Sequence, residues 1–191
     1  MRSLTVGLSL ALATTALAPV AMAGEMDAMG MQKTVMVGGA AMSPAKNIIQ
    51  NAMNSKDHTT LVAAVKAAGL VDTLEGTGPF TVFAPTNEAF AALPAGTVDT
   101  LLKPENKATL SRILTYHVVA GNYTSHDLAK LVKKHKGMAT LKTVEGASIT
   151  VAEHGGKWTV TDAKGNVAHI TIADVRQSNG VIFVIDKVLM P

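Results

Sequence analysis

The closing part of the chain contains five consecutive apolar residues, 181–185, with the sequence VIFVI. A strand that is exposed on one face alternates apolar and polar residues, so an unbroken apolar run predicts a strand covered on both faces. The rest of the chain must therefore supply packing layers on two sides of it. Short turns containing Gly or Asn separate the apolar segments between residues 138 and 190, and this spacing predicts consecutive antiparallel hairpins.

The part of the chain before residue 138 is typical of short helices, with strand-like segments at residues 80–84 and 116–119. Ser43 followed by Pro44 predicts a helix start, and Gly69 predicts the end of the next helix. Ser125 is the predicted N-cap of a last helix. Helices first and hairpins afterwards predict an α+β fold rather than a doubly wound one. The residues predicted to face inward from the first helix are Ile48, Ile49, Ala52 and Met53.

The N-terminus has the pattern of an export signal. Arg2 precedes an apolar stretch over residues 4–17, and residues 21–23 have the small-x-small sequence that signal peptidase accepts. The apolar stretch is short for a membrane span, although an uncleaved anchor is the alternative. We therefore predict a signal peptide over residues 1–23 and a periplasmic or extracellular protein with no further transmembrane segment.

Residues 24–42 are rich in Met and Gly and show no helical or strand period, which predicts a leader ahead of a domain over residues 43–191. The leader is either flexible or a loosely attached strand. Its Met26, Met29 and Met31 carry thioethers, which suit Cu(I), so copper binding is one hypothesis. Methionine also fills apolar patches, so packing of the leader on the domain is the other.

Three segments, in order, resemble the signatures of the fasciclin domain family. Residues 78–90 (GPFTVFAPTNEAF) resemble the first signature, residues 114–119 (LTYHVV) the tyrosine–histidine motif, and residues 179–191 (NGVIFVIDKVLMP) the closing signature. The resemblance implies a wedge of antiparallel β-strands packed with several short helices. It also implies a secreted, non-enzymatic module for cell adhesion or for interaction with the cell envelope or matrix.

The same resemblance makes Tyr116 and His117 the candidate binding residues. The alternative places His117 inside the domain, with its ring nitrogens bonded to neighbouring polar groups. The other signature residues are expected to be mainly structural, because large aromatic side chains gain most from burial. They are Phe80, Thr81, Phe83, Pro85, Thr86, Asn87, Phe90, Asn179, Gly180, Phe183 and Asp186.

Motifs for catalysis are missing from the sequence. It has no cysteine, no G-x-S-x-G, no H-E-x-x-H and no glycine-rich phosphate loop, and its six histidines show no metal-ligand spacing. Glu153 and His154 are an adjacent acid and imidazole, but they lie beside a predicted turn. We therefore predict no catalytic residues, no cofactor and no metal site in the domain.

Lysines cluster at the end of the last predicted helix, at positions 130, 133, 134 and 136 around His135. Cations there complement the helix dipole, and they are also able to contact acidic polysaccharide or lipid headgroups. The formal net charge of only +3 and the predicted export argue against nucleic acid as a partner. The alternative to adhesion is a carrier that holds a small ligand or lipid in an apolar pocket.

Overall fold

The computed structural model describes residues 34–191, which form seven α-helices, two 3₁₀ turns (Lys56–His58 and Pro104–Asn106) and nine strands. The strands are β1 Val35–Val37, β2 Ala40–Met42, β3 Phe80–Pro85, β4 Val118–Ala120, β5 Met138–Lys142, β6 Ser148–His154, β7 Lys157–Thr161, β8 Val167–Gln177 and β9 Gly180–Ile185. The helices are α1 Ile48–Ala52, α2 Thr59–Ala68, α3 Val71–Glu75, α4 Asn87–Ala91, α5 Thr97–Leu101, α6 Lys107–Tyr116 and α7 Ser125–Lys134. The predicted α+β class, with short helices preceding a run of hairpins, is confirmed.

Seven strands form one sheet in the order β4-β3-β9-β8-β7-β6-β5. The predicted hairpins from β5 to β9 pair antiparallel with their sequence neighbours. The central pair is different, because β3 runs parallel to β9 from Phe80 opposite Gly180 to Pro85 opposite Ile185. This parallel pair joins strands that are distant in the sequence, so the turn signals between neighbouring strands did not predict it.

The sheet curls until its two outer strands meet at one end. The Val144 N–H, just beyond β5, donates to the Val118 carbonyl of β4 at 2.7 Å, and Val119 forms an antiparallel bridge with Thr143. The curl covers part of each sheet edge, which otherwise presents unpaired backbone groups. It also gives the sheet an inner face, on which α7 packs, and an outer face, on which α1, α2 and most of α6 pack.

The two faces of the central strands belong to different apolar clusters. Val82 and Ile182 pack in the cluster that includes α1, α2 and α6, which we call the helical cluster. Phe83 and Phe183 pack in the cluster that includes β5 to β7 and α7, which we call the inner cluster. The two phenylalanine rings stack with centroids 5.6 Å apart. Every residue of β9 is buried, so the prediction of a strand covered on both faces is confirmed.

Helix starts differ from those predicted at two places. Helix α1 begins at Ile48 rather than at Ser43, because Asn47 and Gln50 form a reciprocal capping box. Ile48, Ile49 and Ala52 are buried as predicted, but Met53 follows the helix and is 54% exposed. Helix α7 is capped by Thr124 rather than Ser125, because the Thr124 hydroxyl accepts the Asp127 N–H and the Asp127 carboxylate accepts the Thr124 N–H.

Part of the predicted leader is ordered against the domain. Strands β1 and β2 form an antiparallel hairpin over residues 35–42, whose Val37 and Met42 are each only 3% exposed in the helical cluster. The hairpin precedes residue 43, where the domain was predicted to begin. Of the alternatives for the leader, an attached β-segment describes residues 35–42, while residues 1–33 lie outside the described part of the chain.

Gly180 is the position where the central pair tolerates least change. A Cβ on Gly180 would lie 2.0 Å from the Phe80 carbonyl oxygen, and the strand pairing fixes both backbones. We expect Gly180→Ala to lower the free energy of unfolding by at least about 3 kcal/mol, measured by urea denaturation. Gly156→Ala is the control: its φ of 79° is strained but nothing lies within 4 Å, so about 1–2 kcal/mol is expected. Equal losses would contradict the steric account.

Candidate functional site

Tyr116 is the last residue of α6, and its side chain is fully buried in the inner cluster. Its hydroxyl donates to the Ser148 carbonyl at 3.0 Å and accepts the Ala163 N–H at 2.8 Å. Burial raises the pKa of Tyr116 above its ordinary value, against the effect of the Ala163 N–H. The phenol is therefore a neutral link that holds the start of β6 and the β7–β8 turn to the end of α6.

His117 caps the C-terminus of α6 and is 2% exposed. Its Nδ1 lies 2.8 Å from the Ile113 carbonyl, and its Nε2 accepts the Leu189 N–H at 2.9 Å. A carbonyl only accepts and a backbone N–H only donates, so the ring is the neutral tautomer with its proton on Nδ1. Burial lowers the pKa of His117 to about 4, although the Ile113 carbonyl and the Asp162 carboxylate oppose that shift.

Neither residue of the tyrosine–histidine motif offers side-chain surface to a partner, since both rings lie in the interior. What they do is join α6 to the start of β6, to the β7–β8 turn and to the end of the chain. A binding role for Tyr116 or His117 would therefore act through the loops that these hydrogen bonds hold. The contacts of His117 are those expected for a histidine inside the domain, because polar neighbours bond both of its ring nitrogens.

Two threonines of the first signature make structural hydrogen bonds, Thr81 to a distant segment and Thr86 to the helix that follows it. The Thr81 hydroxyl is buried, donates to the Gly121 carbonyl at 2.7 Å and accepts the Tyr123 N–H at 2.9 Å. Thr86 caps α4 through the Ala89 N–H. Together with the backbone pairing of β3, these contacts hold the segment after β4 and the start of α4 to the central strand.

Asn87 is a cap for a helix other than its own. Its side-chain oxygen accepts the Thr60 N–H at 3.0 Å, and its side-chain nitrogen donates to the Lys56 carbonyl at 2.8 Å. The residue before α2, His58, makes no side-chain cap of its own. Asn87 therefore satisfies a free N–H in the first turn of α2 from a different part of the chain.

Asn179, in the closing signature, joins three segments. Its side-chain oxygen accepts the Ile48 N–H at 3.1 Å, and its side-chain nitrogen donates to the carbonyls of Leu74 at 2.7 Å and Gly76 at 2.9 Å. The residue is 8% exposed, so these bonds replace water for a nearly buried amide. Gly180 beside it is required by the close approach to β3.

The phenylalanines and Pro85 of the signatures are packing residues, and Asp186 is the exception at the surface. Phe83, Phe183 and Phe90 are buried, Phe80 is half-buried, and Pro85 is buried at the end of β3. The Asp186 carboxylate accepts the His169 N–H at 2.7 Å and lies 3.0 Å from His169 Nδ1. This pair is partly exposed and stabilises the β8–β9 ladder where the strands separate.

Two buried polar groups were missed by the sequence analysis. Asn51 is fully buried, donates to the Ser43 carbonyl at 2.7 Å and also bonds the Gln177 side chain. The Asp162 carboxylate accepts the Asn166 side-chain amide and the backbone N–H groups of Asn166, Lys164 and Met190. Burial raises the pKa of Asp162, but these hydrogen bonds outweigh it and hold the pKa below its ordinary value. The sequence predicted the turn over residues 162–166, but it did not predict the hydrogen bond from the Met190 N–H to Asp162.

The candidate metal-ligating and acid–imidazole residues are spread over the described part of the chain. Within residues 34–191, no group of three or more His, Asp or Glu side chains converges as a metal site would require. Glu153 and His154 end β6 next to the β6–β7 turn, opposite Trp158 and Lys157. The thioethers of Met26, Met29 and Met31 lie outside the described residues, so the copper hypothesis stays a prediction.

Comparison with known proteins identifies the family. The Fasciclin domain family matches residues 56–191. Protein sll1483 of Synechocystis is 47% identical over 160 residues, which cover 84% of this chain and 82% of the relative. Immunogenic protein MPB70 of Mycobacterium bovis is 35% identical over 192 residues, which cover 95% and 91%. The chain belongs to the fasciclin domain family.

The fold agrees with that assignment. The structure of a FAS1 domain pair from the insect cell adhesion molecule fasciclin I is similar with a TM-score of 0.70, covering 84% of this chain and 59% of that one at 20% identity. At this identity the similarity concerns the fold alone. Proteins of the family are typically secreted or cell-surface proteins of adhesion and matrix interaction, and the domain is generally non-enzymatic.

The buried His117 predicts a pH dependence of stability. Its pKa is about 4 in the folded protein and 6.5 as an unperturbed group, so between these pH values the unfolded chain binds a proton that the folded protein does not. Its contribution is complete above pH 6.5 and is lost as the pH falls towards 4, on the order of 3 kcal/mol in all. We expect urea denaturation at pH 7.5, 5.5 and 4.2 to show this loss.

In His117→Gln the loss over this window should be smaller, although the variant is less stable at every pH. A remainder is expected because burial also lowers the pKa of His58. His126→Gln, at an exposed position of α7, should keep the pH profile of the unmodified protein. Parallel profiles for the unmodified protein and His117→Gln would show that His117 is not responsible.

Proposed function

We propose that this protein is an exported, non-enzymatic adhesion module that binds an anionic component of the cell envelope or surrounding matrix. Membership of the fasciclin domain family carries the proposal, because proteins of that family act in adhesion and matrix interaction. The signal-like pattern over residues 1–23 supports export. Within residues 34–191, no helix combines the length and the apolar character that a bilayer crossing needs.

The contact surface that we propose is the basic end of α7, defined by Lys130, Lys133, Lys134, His135 and Lys136. All five side chains are exposed. Among the described residues the ion pairs are Arg112 with Glu145 and His169 with Asp186, so no carboxylate is paired with these lysines. The four lysine ammonium groups attract anionic groups, although Asp127 offsets part of the charge of Lys130. The negative end of the helix dipole beneath them favours the cations themselves.

The fold presents this basic end rigidly. The Thr124–Asp127 capping box fixes the start of α7, and the Ser125 N–H donates to the Asp174 carboxylate of β8 at 2.6 Å. Leu128 and Val132 bury one side of the helix against the sheet. The lysines therefore project from a helix held at its start and along its length, which limits the ordering that binding would require.

A carrier of lipids or larger ligands is the weaker alternative. The apolar cavity between the first two helices and the central strands has a volume of about 40 Å³. Sites for drug-sized ligands have roughly 300–1,000 Å³. The core is thus well filled, which favours recognition by the surface over enclosure of a large ligand.

Charge-matched variants test the proposal. The first, Lys133→Gln with Lys134→Gln and Lys136→Gln, removes three charges from the basic end of α7. The second, Lys66→Gln with Lys103→Gln and Lys164→Gln, removes three exposed charges elsewhere. We expect the first to weaken binding to immobilised polygalacturonate about tenfold or more, since each exposed charge contact contributes up to about 1 kcal/mol. Biosensor titration against polygalacturonate and neutral dextran measures this.

The second variant should bind within about twofold of the unmodified protein, and binding should weaken as salt is added. Equal losses in both variants would show that net charge alone is responsible. Binding that survives in the first variant, or equal binding to neutral dextran, would contradict the proposed surface.

A further inference from the structure

An apolar cavity lies where the N-terminal hairpin, the first two helices and the central strands meet. Its walls include Met42 of β2, Ile49 of α1, Val65 of α2, Val82 of β3 and Ile182 of β9. Seventeen of its eighteen lining residues are buried, and the half-buried Val62 of α2 is the exception. Val62 therefore marks the side of the cavity nearest to solvent.

The wall of the cavity contains a histidine, His58, with one ring nitrogen that makes no hydrogen bond among the described residues. His58 lines the wall and is 3% exposed, and its Nδ1 lies 2.9 Å from the Ser55 hydroxyl. Its Nε2 is the buried side-chain atom that makes no hydrogen bond of good geometry among the described residues, although the Ala84 carbonyl lies near enough to the ring to act on its pKa. A buried polar atom without a partner is costly in free energy, and most such atoms in folded proteins are satisfied.

His117 is the other histidine in the wall of the cavity, and it has no unbonded ring nitrogen. Both ring nitrogens of His117 are bonded, to the Ile113 carbonyl and to the Leu189 N–H. A buried water usually makes two to four hydrogen bonds, which a wall of Val, Ile, Leu and Met side chains around one nitrogen does not supply. A molecule with one hydrogen-bonding atom and an apolar body matches the wall better.

Size and charge narrow the class of ligand. A single water needs roughly 10–15 Å³ of cavity space, so the 40 Å³ of this cavity holds about three to four non-hydrogen atoms. Burial lowers the pKa of His58 below its ordinary value, and the Ala84 carbonyl and Asp57 carboxylate oppose that shift only in part. With a neutral imidazole as its polar group, the cavity favours a neutral ligand over a charged one.

We propose that this cavity binds a small neutral molecule, such as a short alcohol or ketone, whose single polar group bonds His58 Nε2 and whose apolar part contacts Ile49, Val65 and Val82. The apolar part fills space that is otherwise vacant, and the polar group satisfies the buried nitrogen. The site lies inside the domain, apart from the basic end of α7, and its existence does not depend on the adhesion proposal.

Nuclear magnetic resonance with isopropanol as the probe tests the site. The protein carries ¹³C-labelled Ile, Leu and Val methyl groups and ¹⁵N-labelled histidine. We expect intermolecular Overhauser effects from isopropanol to the methyl groups of Ile49, Val65 and Val82, together with a shift of the His58 Nε2 resonance. Xenon, which has no hydrogen-bonding atom, should perturb the same methyl groups and leave Nε2 unchanged.

His58→Phe removes the polar atom, and we expect it to weaken isopropanol binding at least tenfold. His154→Phe is the matched control, because His154 is exposed at the end of β6 and should leave binding unchanged. If His58→Phe does not fold, the comparison of isopropanol and xenon at Nε2 in the unmodified protein decides. The proposal is overturned if Overhauser effects are absent, if Nε2 responds equally to both probes, or if His58→Phe binds isopropanol within twofold of the unmodified protein.

Discussion

The parallel pairing of β3 with β9 is the constraint on which the rest of the structure depends. It brings together two strands that are distant in the sequence, with Phe80 opposite Gly180, and the absence of a side chain on Gly180 allows their close approach. Because both faces of this pair are apolar, each strand supplies side chains to the helical cluster and to the inner cluster at once. The helices, the curled sheet and the chain end are therefore held to the same two strands.

Most signature residues make contacts that hold distant parts of the domain to this central pair. Asn87 and Asn179 use amide groups to cap or join helices from other parts of the chain, and Tyr116 and His117 do the same for turns and the chain end. Because these contacts are structural, the family signatures in the sequence do not identify the binding partner. The contact surface that we propose is instead the exposed basic end of α7.

Much of the fold could be predicted because its signals are local. The VIFVI run predicted a strand covered on both faces, and Gly69 predicted the end of α2, where it adopts a φ of 72°. The start of α1 was also encoded locally, in the Asn47 and Gln50 capping box, although Ser43 and Pro44 suggested an earlier start. Periodicity and turn chemistry act over a few residues, so they report such features well.

What could not be predicted depends on contacts between distant residues. Asn179 bonds Ile48 and Leu74 from more than 100 positions away, and no local pattern signals such a bond. The hairpin over residues 35–42 was hidden because its strands have three residues each, too few to show a period. The unpartnered nitrogen of His58 has no sequence signature either, since it depends on what surrounds the ring in three dimensions.

Native-state hydrogen exchange tests the central role of the β3–β9 pair most directly. If the pair holds both clusters together, the amides of Val82, Phe83, Ile182 and Phe183 should exchange only by global unfolding. Their opening free energies should then equal the unfolding free energy from urea denaturation within about 1 kcal/mol. Lower values for these amides than for the amides of β5 to β7 would contradict the account, because strands β5 to β7 would then stay paired while the β3–β9 pair opens.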